Sequence, residues 1–270
     1  MEMDFEKIWA EKYESKEKTE IDRWNKIAKD LSETRKTNNY EYGRKVLNTL
    51  LQEEVLNENS KVLEIGAGPG TFLIPFSKNV RKITAVEPSK GMIEKMIENA
   101  KEAGIENYEI INKKWQDVNV SKIKNEHDLV IASYVLGVRV FKNIWKQLKK
   151  MEKASRKFCS VIDRTGSWNK ERKNLWRKVM GDTERPSYTN LPIIYNILIE
   201  KERQPKHKTV KHTKKSSLSK AISKRKRYYS RYTEITPKIE KKIEKHLSEI
   251  SEDRKVEREE KTAIIWWVSQ

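Results

Sequence analysis

The sequence predicts an α/β fold with a mostly parallel sheet, on three observations. Between residues 61 and 163, short apolar runs alternate with amphipathic helical segments, which is typical of a parallel sheet. The run at 129–133 is almost entirely apolar, which indicates a strand covered on both faces. A glycine-rich turn at 66–70 joins the first strand to the first helix of this alternation.

The N-terminal region, residues 1–58, is expected to be helical. It contains no glycine before Gly43, and its apolar residues recur at helical spacing. The last of three helical stretches, from about Tyr42 to Leu56, places its apolar residues on one face. A polar segment, 32–40, is interpreted as the connection between the second and third helices. Three aromatic residues of this region are expected either to cover a ligand pocket or to pack the helices on the core: Trp24, Tyr40 and Tyr42.

The elements that follow are predicted in regular order. Ser89, directly after Pro88, is suited to cap the helix after the second strand, and Gly104 ends that helix. Beyond residue 163 the alternation changes to basic helical segments, and Pro192 suits the first turn of one of them. The expected strands are 61–65, 83–86, 108–112, 129–133, 158–162, 207–213 and 262–268.

Composition favours a cytoplasmic protein with an uneven charge distribution. The 270 residues are 36% hydrophobic and 36% charged, with one cysteine. No apolar run approaches the roughly 18 residues that span a membrane, and the acidic N-terminus lacks a signal-peptide pattern. The net charge of +18 is concentrated in residues 141–232, which hold 27 basic and 7 acidic residues. Such a region suits an anionic small molecule or nucleic acid, or is simply a lysine-rich surface.

The glycine-rich turn is the candidate ligand site. Gly66, Gly68 and Gly70 allow a sharp turn and let a ligand lie against the backbone. The spacing is G-x-G-x-G, which differs from the G-x-G-x-x-G of dinucleotide-binding proteins, and the P-loop lysine is absent. Glu87 ends the second strand, 17 residues beyond Gly70. A carboxylate at this place can accept both hydroxyls of a ribose.

The stretch Glu64-Ile-Gly-Ala-Gly-Pro-Gly closely resembles motif I of class I S-adenosylmethionine-dependent methyltransferases. The resemblance covers about residues 60–165 and implies S-adenosylmethionine as cofactor and S-adenosylhomocysteine as product. It also implies a Rossmann-like, seven-stranded, mostly parallel sheet with an antiparallel last strand. To that fold this chain adds an N-terminal helical cap and helical insertions between strands 5, 6 and 7. The expected regions are a cap at 1–58, a cofactor-binding core at 59–165, and substrate elaborations with the final strands at 166–270.

The resemblance assigns roles residue by residue. It places Glu64 near the methionine part of the cofactor and Glu87 on the ribose. The family usually has an acidic residue that holds the adenine amino group, but this chain has Lys114, which cannot accept a hydrogen bond. That contact is therefore expected to shift to Gln116, to Asp117 or to a backbone carbonyl. The expected cofactor-binding residues are Glu64, Gly66, Ala67, Gly68, Gly70, Thr71, Glu87, Pro88, Met92, Trp115, Gln116 and Ser133.

The catalytic candidates come from the carboxyl ends of the strands, where open parallel sheets bind ligands. Methyl transfer from a sulfonium needs mainly alignment, and it needs a base where the acceptor must lose a proton. Arg139 is suited to bind a substrate carboxylate or phosphate. The candidates are Tyr134, Arg139, Asp163 and Tyr195.

No metal site is expected from the sequence. His207 and His212 are five residues apart, so they face opposite sides of the predicted sixth strand. Neither the other histidines nor the one cysteine has metal-ligand spacing.

Three functions remain open at this point. The chain is similar to a group of uncharacterised prokaryotic methyltransferases, which favours a small-molecule acceptor. The residues after strand 4, Ser133-Tyr134-Val135-Leu136, lack the Pro-Pro loop of nucleic-acid amino-methyltransferases. The alternatives are an RNA methyltransferase that docks through the basic residues 141–232 and a non-catalytic cofactor-binding protein. No membrane partner is expected, and the oligomeric state is left open.

Overall fold

The computed structural model describes residues 3–14, 21–137, 141–165, 170–184 and 190–270. The described chain forms two compact units. Unit 1 comprises Met1–Thr165, Thr189–His212 and Lys261–Gln270. Unit 2 comprises Gly166–Tyr188 and Thr213–Glu260.

One seven-stranded sheet organises the fold, in the order β3-β2-β1-β4-β5-β7-β6. The first five strands are parallel to their neighbours, and β7 runs antiparallel to β5, with Thr262 opposite Arg164. The prediction of a mostly parallel sheet with an antiparallel last strand is confirmed. The strands are β1 (Lys61–Ile65), β2 (Lys82–Val86), β3 (Tyr108–Ile111), β4 (His127–Ser133), β5 (Ser155–Arg164), β6 (Lys206–Ser217) and β7 (Lys255–Val268).

Ten helices are present in the described part of the chain. The N-terminal three and the two after β2 and β4 are amphipathic, as the spacing of their apolar residues predicts. They are α1 (Phe5–Glu14), α2 (Ile21–Thr37), α3 (Glu41–Gln52), α4 (Leu73–Phe76), α5 (Lys90–Glu102), α6 (Ile144–Ala154), α7 (Lys170–Met180), α8 (Asn190–Glu200), α9 (Leu218–Tyr229) and α10 (Pro237–Glu249).

Unit 1 has an apolar core on each face of the sheet. Because side chains alternate along a strand, Val62 and Leu63 of β1 belong to different cores. The Val62 core includes buried residues of α3, α4 and α5, whereas the Leu63 core includes residues of α1, α6 and α8. Both faces are therefore covered, and ligands reach the sheet at its edges and strand ends.

Several predicted boundaries differ from the structure. Strands β5 and β6 are longer than the predicted 158–162 and 207–213, and two further differences have a clear physical reason. The polar segment 32–40 was expected to be a connection, but α2 continues to Thr37. Its polar residues are accommodated because Ser32 is buried and its hydroxyl donates to Asn99 Oδ1 of α5 at 3.2 Å. The last strand begins at Lys255 and is twice as long as the run 262–268. Its first half was not predicted because six of the seven residues from 255 to 261 are charged and no apolar run marks them.

Unit 2 has its own small core. Trp176 of α7, Tyr229 of α9 and Leu247 of α10 are buried in it. The indole Nε1 of Trp176 donates to the carbonyl of Thr183 at 3.0 Å, so the buried donor is satisfied.

Among the described residues, no helix is long and apolar enough to cross a membrane.

Candidate functional site

The glycine-rich turn adopts a conformation that only glycine tolerates easily. Gly66, Gly68 and Gly70 have positive φ angles of 70°, 58° and 88°. A Cβ added to Gly66 would lie 2.2 Å from Cγ2 of Val135, so the turn after β1 packs directly against the chain after β4. A Cβ at Gly68 would meet no atom within 4 Å. The turn thus presents an open stretch of backbone at the carboxyl ends of the strands.

Glu87, directly after β2, organises this turn. Its Oε2 accepts a hydrogen bond from the backbone N–H of Gly68 at 2.8 Å, and its Oε1 accepts one from Ser89 at 2.9 Å. Burial raises the pKa of the Glu87 carboxyl, and these two bonds oppose that shift. Each carboxylate oxygen can accept a further bond, so the group can hold the turn and bind hydroxyls together.

Glu64, at the same end of β1, is a buried acid with an unsatisfied oxygen. The backbone N–H groups of Phe72 and Leu73 donate to its carboxylate, yet Oε2 has no hydrogen-bond partner among the described residues. Burial, and then the charge of Glu87, raise the pKa of Glu64 to about 8. An unsatisfied buried acceptor is costly, and a cationic hydrogen-bond donor would relieve that cost.

The N-terminal helix α2 is fastened to the turn and to α5. Asn25 Oδ1 accepts from the hydroxyl of Ser89, the N-cap of α5, at 2.7 Å. Asn99 of α5 donates to the carbonyl of Pro69 at 2.8 Å, and Arg35 Nε donates to Thr71 Oγ1 at 3.1 Å. These contacts hold α2 beside the candidate site.

The region after β3 is held by a lysine. Trp115 is buried in the core, where the Lys150 ammonium lies 4.9 Å from its ring centre. The same ammonium donates to the carbonyls of Trp115 and Gln116. Asn112 donates to the carbonyl of Glu87 at 2.9 Å. This region therefore supports the Glu87 loop, and ligand contacts of Trp115 and Gln116 stay predictions.

A polar cluster lies beside the turn, which we call the tyrosine cluster: Tyr42, Ser133, Tyr134, His212 and Thr262. Tyr42 and Ser133 hydroxyls are 2.6 Å apart, as are those of Tyr134 and Thr262. His212 Nε2 lies 3.2 Å from Thr262 Oγ1, and its ring centre is 4.8 Å from that of Tyr42. Burial raises the pKa of Tyr42 well above its usual range.

Tyr42 connects this cluster to the glycine-rich turn. Its ring centre lies 5.4 Å from that of Phe72, which follows Thr71, and 5.7 Å from that of Tyr134. Tyr134 itself has a φ of 58°, which is uncommon for a residue with a large side chain. Backbone strain of this kind concentrates at functional sites.

Asp163 lies near the end of β5, in the strand next to the Tyr134 loop. Its Oδ2 accepts a hydrogen bond from the Asn190 amide of α8 at 3.2 Å. Burial raises the pKa of Asp163, and its bonds and the Arg164 charge oppose the shift. The carboxyl is therefore a candidate proton acceptor at this end of the sheet.

Comparison with known families decides the identity of this site. A family model described as a methyltransferase domain matches residues 56–250, which is most of the chain. This chain belongs to the S-adenosylmethionine-dependent methyltransferases. The expected family, its enzymatic activity and its cofactor are thereby confirmed.

Solved structures share the fold of this methyltransferase. An S-adenosylmethionine-dependent methyltransferase from Aquifex aeolicus aligns with a TM-score of 0.54 and 14% identity, covering 91% of this chain and 98% of that one. The magnesium protoporphyrin IX methyltransferase of Synechocystis PCC 6803, with bound S-adenosylhomocysteine, aligns with a TM-score of 0.54 and 13% identity, covering 99% and 100%. At these identities the likeness concerns the fold alone.

A curated relative matches a shorter part of the methyltransferase. The probable ribosomal RNA small subunit methyltransferase A of Methanosphaera stadtmanae is 32% identical over 79 residues. The match covers 29% of each protein, so the chain spans less than a third of that relative's length.

One predicted catalytic residue of the methyltransferase, Tyr195, is not brought to the tyrosine cluster. Tyr195 lies on α8 with its ring edge against His207, at a centroid distance of 5.7 Å. His207 precedes His212 by five residues, roughly 16 Å along an extended strand. Arg139 lies outside the described residues. By contrast Tyr134, Ser133 and Asp163 lie near the ends of adjacent strands, as the sequence predicts.

Proposed function

We propose that this methyltransferase transfers a methyl group to a small-molecule acceptor held at the carboxyl ends of β4 and β5. The observation that carries the proposal is the tyrosine cluster, together with Asp163, beside the glycine-rich turn. Small-molecule sites combine apolar walls with a few convergent polar groups, and this place offers aromatic rings, hydroxyls, an imidazole and a carboxyl. The assignment of residues 1–58 as a cap and 166–270 as substrate elaborations belongs to the same proposal, as does a cytoplasmic location.

The residues around the turn fit the cofactor. We assign the orphaned Oε2 of Glu64 to the ammonium group and the Glu87 carboxylate to the ribose hydroxyls. The open backbone at Ala67 and Gly68 would lie against the ligand, and Thr71 borders it. S-adenosylmethionine supplies an electrophilic methyl group on a sulfonium. The protein supplies alignment, a buried environment and a route for the acceptor's proton.

One observation supports an RNA acceptor as the second candidate. Residues 141–232 carry a net charge of +20, and the relative from Methanosphaera stadtmanae is named as a ribosomal RNA methyltransferase. A basic surface alone gives mainly electrostatic affinity, which falls steeply with salt. The tyrosine cluster favours the small molecule because Tyr42, His212 and Thr262 are buried.

A methyl-transfer screen distinguishes the two candidates. Radiolabelled S-adenosylmethionine and the full chain are incubated with a metabolite extract and, separately, with total RNA at physiological salt. We expect label in a small-molecule product and none above background in RNA. A Gly68→Asp variant, whose side chain obstructs the turn, is the control for cofactor-dependent transfer. Labelled RNA with no labelled small molecule would overturn the proposal in favour of the second candidate.

A further inference from the structure

A chain of three side chains leads away from the end of β4. Tyr134 Oη lies 2.6 Å from Thr262 Oγ1, and Thr262 Oγ1 lies 3.2 Å from His212 Nε2. The three residues are far apart in sequence, and they meet because β7 lies between β5 and β6 in the sheet. Thr262 is fully buried and His212 is 5% exposed, while Tyr134 is only partly buried. These hydrogen-bonded side chains therefore connect a residue that a ligand can reach with a buried imidazole.

The Thr262 hydroxyl sets the direction of these hydrogen bonds. It has one proton to donate and can accept others, so it donates to one neighbour and accepts from the other. If it donates to His212 Nε2, it accepts from the Tyr134 hydroxyl. The Tyr134 oxygen then keeps its acceptor capacity for a proton that comes from a ligand. In the opposite direction, His212 Nε2 would donate to Thr262 and Thr262 would donate to Tyr134. Tyr134 would then accept a hydrogen bond from Thr262 and could not donate to it.

The surroundings of the chain are compatible with proton transfer. Arg164 of β5 lies 5.4 Å from the Tyr134 ring centre, and Arg35 of α2 lies 5.7 Å from that of Tyr42. Tyr42 of α3 covers the His212 ring, and the Lys45 ammonium of the same helix binds the carbonyl of Lys211. These contacts hold the rings in place, and a buried hydrogen-bonded chain retains its geometry.

We propose that Tyr134, Thr262 and His212 form a proton relay that takes the proton from the methyl acceptor. The proposal rests on the proposed function and narrows its substrate class to a protic nucleophile, a hydroxyl or an amine. For a hydroxyl, the acceptor O–H bond breaks as its oxygen gains the methyl group that the sulfonium loses. The acceptor proton passes to Tyr134, the Tyr134 proton to Thr262, and the Thr262 proton to His212 Nε2. The positive charge lost from the sulfonium reappears on the imidazolium, so the step balances.

The direction of the relay is measurable without an acceptor. Nitrogen NMR of the ¹⁵N-histidine-labelled chain, with His212→Asn to assign the signal, reports which ring nitrogen carries the proton. We expect Nε2 to be unprotonated and Nδ1 to be protonated in the neutral ring. A neutral ring protonated at Nε2 would point the chain the other way and overturn the proposal.

Substitution of Thr262 tests the role in transfer. Thr262→Val has nearly the same shape but no hydroxyl, whereas Thr262→Ser keeps it. With a hydroxyl or amine acceptor from the screen, we expect Thr262→Val to slow single-turnover transfer by about 100-fold or more near neutral pH, as loss of a general base does. Thr262→Ser should stay within about threefold, and His212→Asn combined with Thr262→Val should be no slower than either alone.

The controls separate the relay from the proposed function and from misfolding. Each variant should bind S-adenosylhomocysteine as wild type does, since the relay lies outside the proposed cofactor contacts. If Thr262→Val misfolds, His212→Asn with its pH–rate profile carries the same test. Wild type that methylates no small molecule would refute the proposed function, whereas equal rates for wild type and a folded Thr262→Val would refute the relay alone.

Discussion

Unit 1 and unit 2 each contain a glutamate with a buried carboxylate oxygen, but the two glutamates have different electrostatic surroundings. In unit 1, burial and mutual repulsion raise the pKa of Glu64 to about 8, and its Oε2 has no hydrogen-bond partner among the described residues. In unit 2, Glu171 of α7 lies 3.5 Å from Arg225 and 4.0 Å from Arg258, and His246 is at 3.3 Å. The Glu64 carboxyl has few positive charges near it, whereas the Glu171 carboxyl has two arginines close to it.

We infer from this difference that Glu64 is a binding group and that Glu171 is a structural one. A buried charge is tolerated when its neighbours compensate for it, and Glu171 has such neighbours. The arginines also repel one another: burial first, and then the charges of Arg225 and Arg172, lower the pKa of Arg258 to about 10. Glu64 has no comparable ion pair, so its raised pKa favours the neutral carboxyl in the ligand-free protein, and we propose that a cationic ligand group compensates its charge when it ionises. We therefore expect substitutions in unit 2 to change stability and substitutions at the turn to change affinity.

The largest expected effect is on the stability of unit 2. Glu171→Gln removes the shared carboxylate and leaves buried guanidinium groups without it, so the free energy of unfolding should fall by about 2–3 kcal/mol. Urea denaturation measures this change, and Glu244→Gln, at an exposed ion pair on α10, is the matched control. Affinity for S-adenosylmethionine should stay unchanged. A large loss of affinity in a folded Glu171→Gln protein would remove the distinction between the two clusters.

Glu87→Ala should have the next largest effect. It removes the proposed ribose contact and the acceptor for the Gly68 N–H, and a charge-assisted hydrogen bond contributes about 1.5–3 kcal/mol. Calorimetry should show binding of S-adenosylmethionine weakened roughly ten- to a hundredfold. Glu98→Ala, at an exposed ion pair on α5, should bind like wild type. Equal affinities of Glu87→Ala and wild type would sink the ribose assignment.

Glu64→Gln should weaken cofactor binding by about tenfold and change its pH dependence. The carboxyl must lose its proton to pair with an ammonium group, so wild-type affinity should rise with pH up to about 8. The variant should lose this contribution. Calorimetry in buffers of different ionisation enthalpy measures the proton released on binding. The assignment of Glu64 is wrong if wild type releases no more protons than the variant at pH 7.

Ionisation of Glu64 has the opposite effect on the stability of the ligand-free protein: we expect it to strengthen cofactor binding but to lower the free energy of unfolding. The folded pKa of Glu64, about 8, lies above the ordinary glutamate value of 4.5, so the ligand-free protein binds this proton more tightly when folded. Its contribution to the free energy of unfolding is fully present below about pH 4.5 and is lost as pH rises to about 8. Ligand-free Glu64→Gln should lack this loss and be relatively more stable at pH 8, which denaturation at several pH values measures.

The smallest expected effect is that of Arg258→Met. Loss of a 4.0 Å attraction to Glu171 is offset by relief of desolvation and of repulsion from Arg225 and Arg172. We expect the free energy of unfolding to change by less than about 1 kcal/mol. If urea denaturation showed that the free energy of unfolding falls by more than about 2 kcal/mol, Arg258 would be required to balance the charge of Glu171.

Several features were predictable because they depend on neighbours in the chain. The positive φ angles at Gly66, Gly68 and Gly70 need glycine, so the turn is visible as a motif. Ser89 caps α5 through a bond to the N–H of Met92, three residues away, as the sequence predicts. Apolar runs, or alternation in the case of β6, likewise identified part of each of the seven strands. The first half of β7 was missed because six of its seven residues are charged.

The sequence by itself determined the fold, the glycine-rich turn and its two acids, since local periodicity and one motif specify them. Only the tertiary structure decided which distant groups meet at the strand ends. Thr262 reaches Tyr134 across 128 residues and His212 across 50, because strand order places β7 between β5 and β6. The tertiary structure also places Tyr195 beside His207 and away from the tyrosine cluster, although the sequence made it an equal candidate. Sheet register and helix packing set these contacts, and no local pattern encodes which far strand becomes a neighbour.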